Sequence, residues 1–174
     1  MELRKNKKLD SGLRRNDKLG RGPTIPLTVY QKRWVEDGAR FKIGRVTRQG
    51  GKTFEATLEA VLDCHEHKAL WVCLSRGERQ SKELIAQAKV HAKAIGAAVE
   101  DLESTFKGED AEYKMLEILF PIGSRIIGLP ANPDTARGWS GNILLDEFAL
   151  HKDSRAIWRA LFPTITRGYK IRII

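Results

Sequence analysis

Ala69-Leu70-Trp71-Val72-Cys73-Leu74 is an apolar run with no polar alternation. A strand of this kind must be covered on both faces, as strands are inside a parallel sheet flanked by helices. Asn142–Asp146 repeats the pattern through Ile143-Leu144-Leu145, and Lys170–Ile174 reads as a last strand, inside which the sequence stops. A domain seldom finishes on an uncapped apolar run, so the chain reads as truncated. Phe41–Val46 is a further strand. Between the strands lie stretches with helical spacing. Thr28 to Asp37 reads as a short helix with Val29 and Val35 inward and Gly38 as its stop. A helix from Lys52 to about Cys64 turns Phe54, Leu58, Val61 and Leu62 inward. Ser81 caps a helix to about Ala94 that carries Leu84, Ile85, Ala88 and Val90, and Asp153 or Ser154 caps one to about Leu161. Tyr113–Phe120 and Ser124–Leu129 flank Pro121-Ile122-Gly123 as a hairpin. The alternation predicts an α/β fold: a mainly parallel sheet flanked by helices, with a β-hairpin and no internal repeat.

The chain has 174 residues, 41% hydrophobic and 30% charged, a balance that suits one folded domain and excludes global disorder. No apolar run approaches the ~20 residues that span a bilayer. The basic start lacks the apolar stretch of a signal peptide. Two cysteines, Cys64 and Cys73, are too few for a disulfide scaffold and suit a reducing, cytoplasmic setting. Net charge is +9, and residues 1–24 hold eight Lys/Arg against three Asp/Glu. This segment reads as a disordered basic tail, either a phosphate-binding arm or merely solvated, with the folded domain over 25–174. Cys64-His65-Glu66-His67 offers soft metal ligands without the spacing of a zinc site.

Gly50-Gly51-Lys52-Thr53 follows a strand and opens a helix, where a phosphate-binding loop belongs. Backbone N–H groups at a helix N-terminus point at phosphate oxygens, and the glycines let the backbone approach. Lys52 supplies a point charge to the β- and γ-phosphates, and Thr53 supplies a hydroxyl to Mg²⁺. The general pattern has glycine at position 46, where this chain has Val46. Taken alone, the motif is also compatible with a flexible turn. Ile143-Leu144-Leu145-Asp146-Glu147 is an apolar strand ending in two acids. Asp146 is placed to hold Mg²⁺ and Glu147 to polarise an attacking water, although two solvated acids at a strand end would look the same. Together the motifs predict an ATP-hydrolysing site of the additional-strand, catalytic-glutamate type.

The stretches LTVYQKRW, FKIGRVTRQGGKT, LSRGERQSKEL, LPANPDTARGWSGNILLDEFALHKD and IWRALFPTITRGYKIRII, spanning about residues 27–174, resemble the N-terminal ATPase domain of phage terminase large subunits of the Mu-like prophage type. Terminase loops often lack the first glycine and carry an early arginine, as Val46 and Arg48 do here. The resemblance implies further roles. Tyr30-Gln31 matches an adenine-recognition element. Arg48, Gln49, Gly50 and Gly51 belong to the ATP loop, with Arg48 sensing the γ-phosphate. Arg137 matches a candidate arginine finger acting on a neighbouring subunit, with DNA phosphate as the alternative contact for either arginine, and Ser75–Gln80 matches a second family motif. It also implies double-stranded DNA, a portal protein and a small terminase subunit as partners, and a homo-oligomeric ring. A nuclease domain and a coupling motif would follow Ile174. The rival readings are a helicase-like DNA-dependent ATPase and an inactive prophage remnant that binds only nucleotide or DNA.

Overall fold

The doubly covered strand is β2 (Leu70–Ser75), and its side chains divide between two cores. Trp71 and Cys73 face Ala56, Ala60, Leu84, Ala88 and Ile126 on one side of the sheet. Val72 and Leu74 face Ile143, Leu145, Ile157 and Leu161 on the other. Successive side chains of a strand alternate between faces, so an all-apolar strand demands a helical layer on each.

A computed structural model describes residues 25–47, 50–108 and 111–174. The basic segment 1–24, together with Arg48 and Gln49, lies outside the described residues. In chain order the remaining elements are α1 (Val29–Glu36), β1 (Phe41–Ile43) and α2 (Lys52–Glu66) before β2, then α3 (Glu78–Ala94), β3 (Glu100–Lys107), β4 (Glu112–Leu119) and β5 (Arg125–Pro130). They are followed by α4 (Pro133–Ala136), β6 (Asn142–Leu145), a 3-10 turn (Phe148–Leu150), α5 (Ser154–Thr166) and β7 (Ile171–Ile173). The strand order is β1-β7-β6-β2-β5-β4-β3. The first five run parallel, and β4 and β3 extend the sheet antiparallel. One strand, β7, separates the strand before the glycine loop from the strand before the acidic pair, which is the additional-strand order.

Charged side chains fix α2 to the sheet. The buried Glu59 carboxylate accepts from Arg172 Nε at 2.9 Å and from Nη2 at 2.6 Å. Lys42 Nζ donates to the same carboxylate at 3.1 Å and to the Trp34 carbonyl at 2.6 Å. Arg172 Nη1 donates to the carbonyls of Arg40 and Ile171 at 2.8 and 3.0 Å. Burying a guanidinium is costly unless its donors are met in this way. Toward the other end of α2, the Asp63 carboxylate accepts from Trp71 Nε1 at 2.8 Å, Asn142 Nδ2 at 3.1 Å and Lys170 Nζ at 3.0 Å.

Several elements differ from the sequence reading. β1 is only three residues long, and it turns Lys42 inward while Phe41 and Ile43 are exposed, because Glu59 sits beneath it. Val29 is 71% exposed, and the buried residue of α1 is Gln31. α3 starts earlier than Ser81, behind a Gly77 cap, and Ser81 is buried inside it. Glu78 in the first turn favours that earlier start through the helix dipole. Val90 is exposed. β3 is an additional, polar strand, pairing with β4 in the register Leu102↔Glu117. α5 runs past Leu161 and through Pro163 to Thr166. Among the described residues no helix is long and apolar enough to cross a membrane.

Glu59→Ala leaves Lys42 and Arg172 buried without their shared anion. It is expected to destabilise the domain by about 3–5 kcal/mol in urea unfolding. Breaking the exposed Lys32–Glu36 pair by Glu36→Ala is expected to change stability by less than about 1 kcal/mol.

Candidate nucleotide site

The loop leaving β1 enters α2 through Gly51, the helix N-cap, which has φ +81°. A residue with a Cβ adopts that conformation only at a cost. Space is equally restrictive, since a Cβ on Gly51 would lie 2.6 Å from Gln31 Nε2. At Gly50 an added Cβ would lie 2.4 Å from Val46 Cγ1. Val46, standing where the general motif has glycine, therefore packs into the space that Gly50 leaves open. The Gly50 amide donates to the Thr47 carbonyl at 3.0 Å.

α1 lies against this loop. The Tyr30 hydroxyl donates to the Gly50 carbonyl. Gln31 accepts from the Thr28 amide at 3.0 Å through Oε1, completing a capping box, and turns Nε2 toward Gly51. The amide oxygen of Gln31 is thus engaged by its own helix, and the NH₂ group is what it presents to the loop.

Asp146 follows β6, and its amide donates to the Leu74 carbonyl at 2.9 Å. Its Oδ1 lies 3.9 Å from Lys52 Nζ, close enough for attraction and too long for a hydrogen bond. That oxygen is buried with no hydrogen-bond partner. Burial raises the Asp146 carboxyl above its ordinary pKa, and Lys52 opposes the rise. A buried carboxylate oxygen lacking a donor is a ligand that a hard divalent cation takes, so Asp146 fits the Mg²⁺ that this site chemistry implies. Thr53 is half-buried in the first turn of α2, next to Lys52.

Glu147 has φ +53°, the one positive φ at a non-glycine among the described residues. Such strain persists only where neighbours over-determine it. Here the buried His151 places Nε2 2.9 Å from the Asp146 carbonyl, and the Leu150 amide donates to the Glu147 carbonyl at 2.8 Å. The His151 contact has no sequence signature, because it exists only once the 3-10 turn is folded. Glu55 was missed as well. It is buried one turn into α2, its Oε2 has no hydrogen-bond partner, and burial raises its pKa to about 7 against the opposing Lys42 charge.

The structure brings Tyr30, Gln31, Gly50 and Gly51 together, and sets Lys52 opposite Asp146. Arg137 stands half-exposed at the carboxyl end of α4, 3.6 Å from Asp134. Arg76, just past β2, lines a crevice of about 330 Å³ with Asn132, His151, Lys152 and Asp153. Cys64 and Cys73 are free and buried, and burial pushes the Cys64 thiol up to about 12.

The strand order, the glycine loop at the head of α2 and the acids after β6 define a P-loop NTPase fold of the additional-strand type. Residues 46–174 match the family model described as terminase large subunit, T4likevirus-type, N-terminal, and the chain belongs to that family. It is 29% identical over 157 residues to the Mu-like prophage FluMu protein gp28 of Haemophilus influenzae, covering 87% of this chain and 31% of that protein. It is 30% identical over 155 residues to the probable terminase large subunit gp28 of Escherichia phage Mu, covering 83% and 28%. The chain therefore spans less than a third of these relatives. Among solved structures it is similar to the large terminase ATPase domain of Thermus phage P74-26. The TM-score is 0.60 at 20% identity, covering 86% of this chain and 64% of that one. A mutant of the same domain gives 0.58.

Gly51→Ala is expected to cost about 1–3 kcal/mol of stability, read by urea unfolding, because strain and the clash with Gln31 act together. Glu55 has a folded pKa above its unfolded value, so the folded state holds more protons between pH 4.5 and about 7. Its contribution is complete below pH 4.5 and is lost as pH rises through about 7. Unfolding at pH 5 and pH 8 should therefore show Glu55→Gln gaining on the parent at the higher pH, by on the order of 1–3 kcal/mol.

Proposed function

We propose that this domain binds Mg·ATP at the head of α2 and hydrolyses it to drive double-stranded DNA into a phage prohead, as one part of a larger packaging enzyme. The observation that carries the reading is the 3.9 Å apposition of Lys52 and Asp146, a helix-terminal cation facing a buried, underused carboxylate. Family membership and the lengths of the relatives support the larger setting.

Loop amides at the head of α2 receive the phosphates, and Lys52 neutralises charge on the β- and γ-oxygens. Held by Asp146 and the Thr53 hydroxyl, Mg²⁺ would supply further charge neutralisation on the phosphates. Glu147 orients a water in line with the γ-phosphorus and accepts its proton as the new P–O bond forms and ADP departs. The strained backbone fixes where that carboxylate begins. Tyr30 and Gln31 border the base. Gln31 Nε2 offers one hydrogen bond to adenine, and a second requires Oε1 to release the Thr28 amide. Arg48 senses the γ-phosphate, and Arg137 acts on the site of an adjacent subunit in a homo-oligomeric ring. Portal protein and small subunit complete the assembly, in the cytoplasm of the host.

Calorimetric titration of Mg·ATP into the 174-residue chain tests the site. Lys52→Ala is expected to weaken binding by about 10²-fold or more, at unchanged circular dichroism. Glu147→Gln should bind within about threefold of the parent. Where the parent turns over, the same change should lower the rate by about 10²–10⁴. Absence of binding by a folded parent, or equal binding by Lys52→Ala, overturns the reading.

A further inference from the structure

We propose that the Ser75 hydroxyl, at the carboxyl end of β2, accepts a hydrogen bond from a water of the Mg²⁺ that Asp146 and Thr53 would hold, and so acts as a positioning residue for the metal. The inference rests on the ATP-site reading above and deepens it. Ser75 is fully buried, and its Oγ has no hydrogen-bond partner among the described residues. Buried hydroxyls are nearly always paired, so each exception calls for an explanation. Alanine at this strand end would bury no polar group at all. The hydroxyl is therefore a feature to be accounted for by what lies beside it.

Its neighbour is Asp146. β2 and β6 run parallel in the register Leu74↔Leu145, and the Asp146 amide donates to the Leu74 carbonyl at 2.9 Å. Ser75 and Asp146 are thus the next residues along two paired strands. They also share a face. Trp71 and Cys73 of β2 and Leu144 of β6 lie in the core beneath α2 and α3, and alternation carries that side on to Ser75 and Asp146. The Cys73 thiol registers the arrangement, being pushed up by burial first, then by Cys64 and by the Asp146 charge. Asp146 Oδ1 is likewise buried without a partner, and Lys52 Nζ stands 3.9 Å from it. Two unpaired oxygens on neighbouring strand ends, one anionic and one neutral, suit a hydrated hard cation. Mg²⁺ gives up its waters reluctantly, and the waters it keeps need acceptors. A hydroxyl with two lone pairs supplies one. Ser81 Oγ is also buried and unpaired, but it sits on α3 over Gly128 of β5, on the opposite flank of β2 from Asp146. Burial alone therefore does not mark Ser75; its place beside Asp146 does.

Calorimetric titration of ATP into the whole chain, once with Mg²⁺ and once with a chelator, reads the metal's contribution as the ratio of two affinities. Ser75→Ala is expected to cut that ratio about tenfold, and to leave metal-free ATP binding within about twofold of the parent. Ser75→Cys, close in volume but a poor acceptor, should do the same. Ser81→Ala should keep the parent's ratio. Because Ser75 Oγ serves no protein partner, Ser75→Ala should match or exceed the parent in urea unfolding without nucleotide. A ratio unchanged by Ser75→Ala overturns the proposal and leaves the ATP site standing. Equal losses with and without metal, together with a fall in stability, overturn it by making Ser75 purely structural. A Ser75→Cys variant with the parent's ratio overturns it by assigning the effect to volume. A parent that binds no ATP removes the ATP-site reading and this inference together.

Discussion

The domain depends on one buried carboxylate. Glu59 lies on the helix that begins at the glycine loop, and it is met by Lys42 from β1 and Arg172 from β7. The two cations engage both oxygens of this one anion, and Arg172 Nη1 donates to the backbone carbonyls of Arg40 and Ile171. Such a cluster contributes less net stability than apolar packing of equal volume. What it fixes is placement: α2 has a defined register over β1 and β7, and Lys52 at its head inherits that register. Asp63 does the same nearer the other end, through Trp71 of β2, Asn142 of β6 and Lys170 just before β7.

The site is built by two neighbours pressing on that fixed helix. From one side α1 delivers Tyr30 and Gln31 onto the glycines, so the loop is shaped by contact as well as by glycine freedom. From the other, the turn after β6 holds Asp146 and Glu147 in a strained arrangement propped by His151. The separation of the loop and the acids is set by α2 and the sheet that carry them. Burial keeps Asp146 poorly solvated, which strengthens its response to any cation placed beside it.

The interior parallel strands, the hairpin and the glycine and acidic motifs were legible in the sequence because each is a local pattern. Continuous apolar runs announce doubly covered strands, and Gly-Gly-Lys-Thr at a strand-to-helix junction announces its own geometry. Misreadings arose where burial depends on a distant partner. Lys42 looks like a surface residue until Glu59 and Arg172 are folded around it, so the inward side of β1 was illegible. Val29 looks like a core residue, yet α1 packs through Trp34 and Gln31. β3 has only Leu102 and Phe106 as apolar residues, and an edge strand with one sparse apolar face carries little periodic signal. The left-handed Glu147 and the role of His151 have no sequence signature short of the folded turn.

The pairing of β1 has a consequence for how the domain is made. Phe41 pairs with Ile171 and Ile43 with Ile173, and β7 is the strand that joins β1 to the rest of the sheet. Contacts across so great a sequence separation are slow to form, and during synthesis they wait for the later strand to emerge. A nascent chain can assemble β2 through β6 while the strand leading into the glycine loop has no partner. The pairing that anchors β1, and with it the entry to the glycine loop, is therefore completed only after the interior strands have formed.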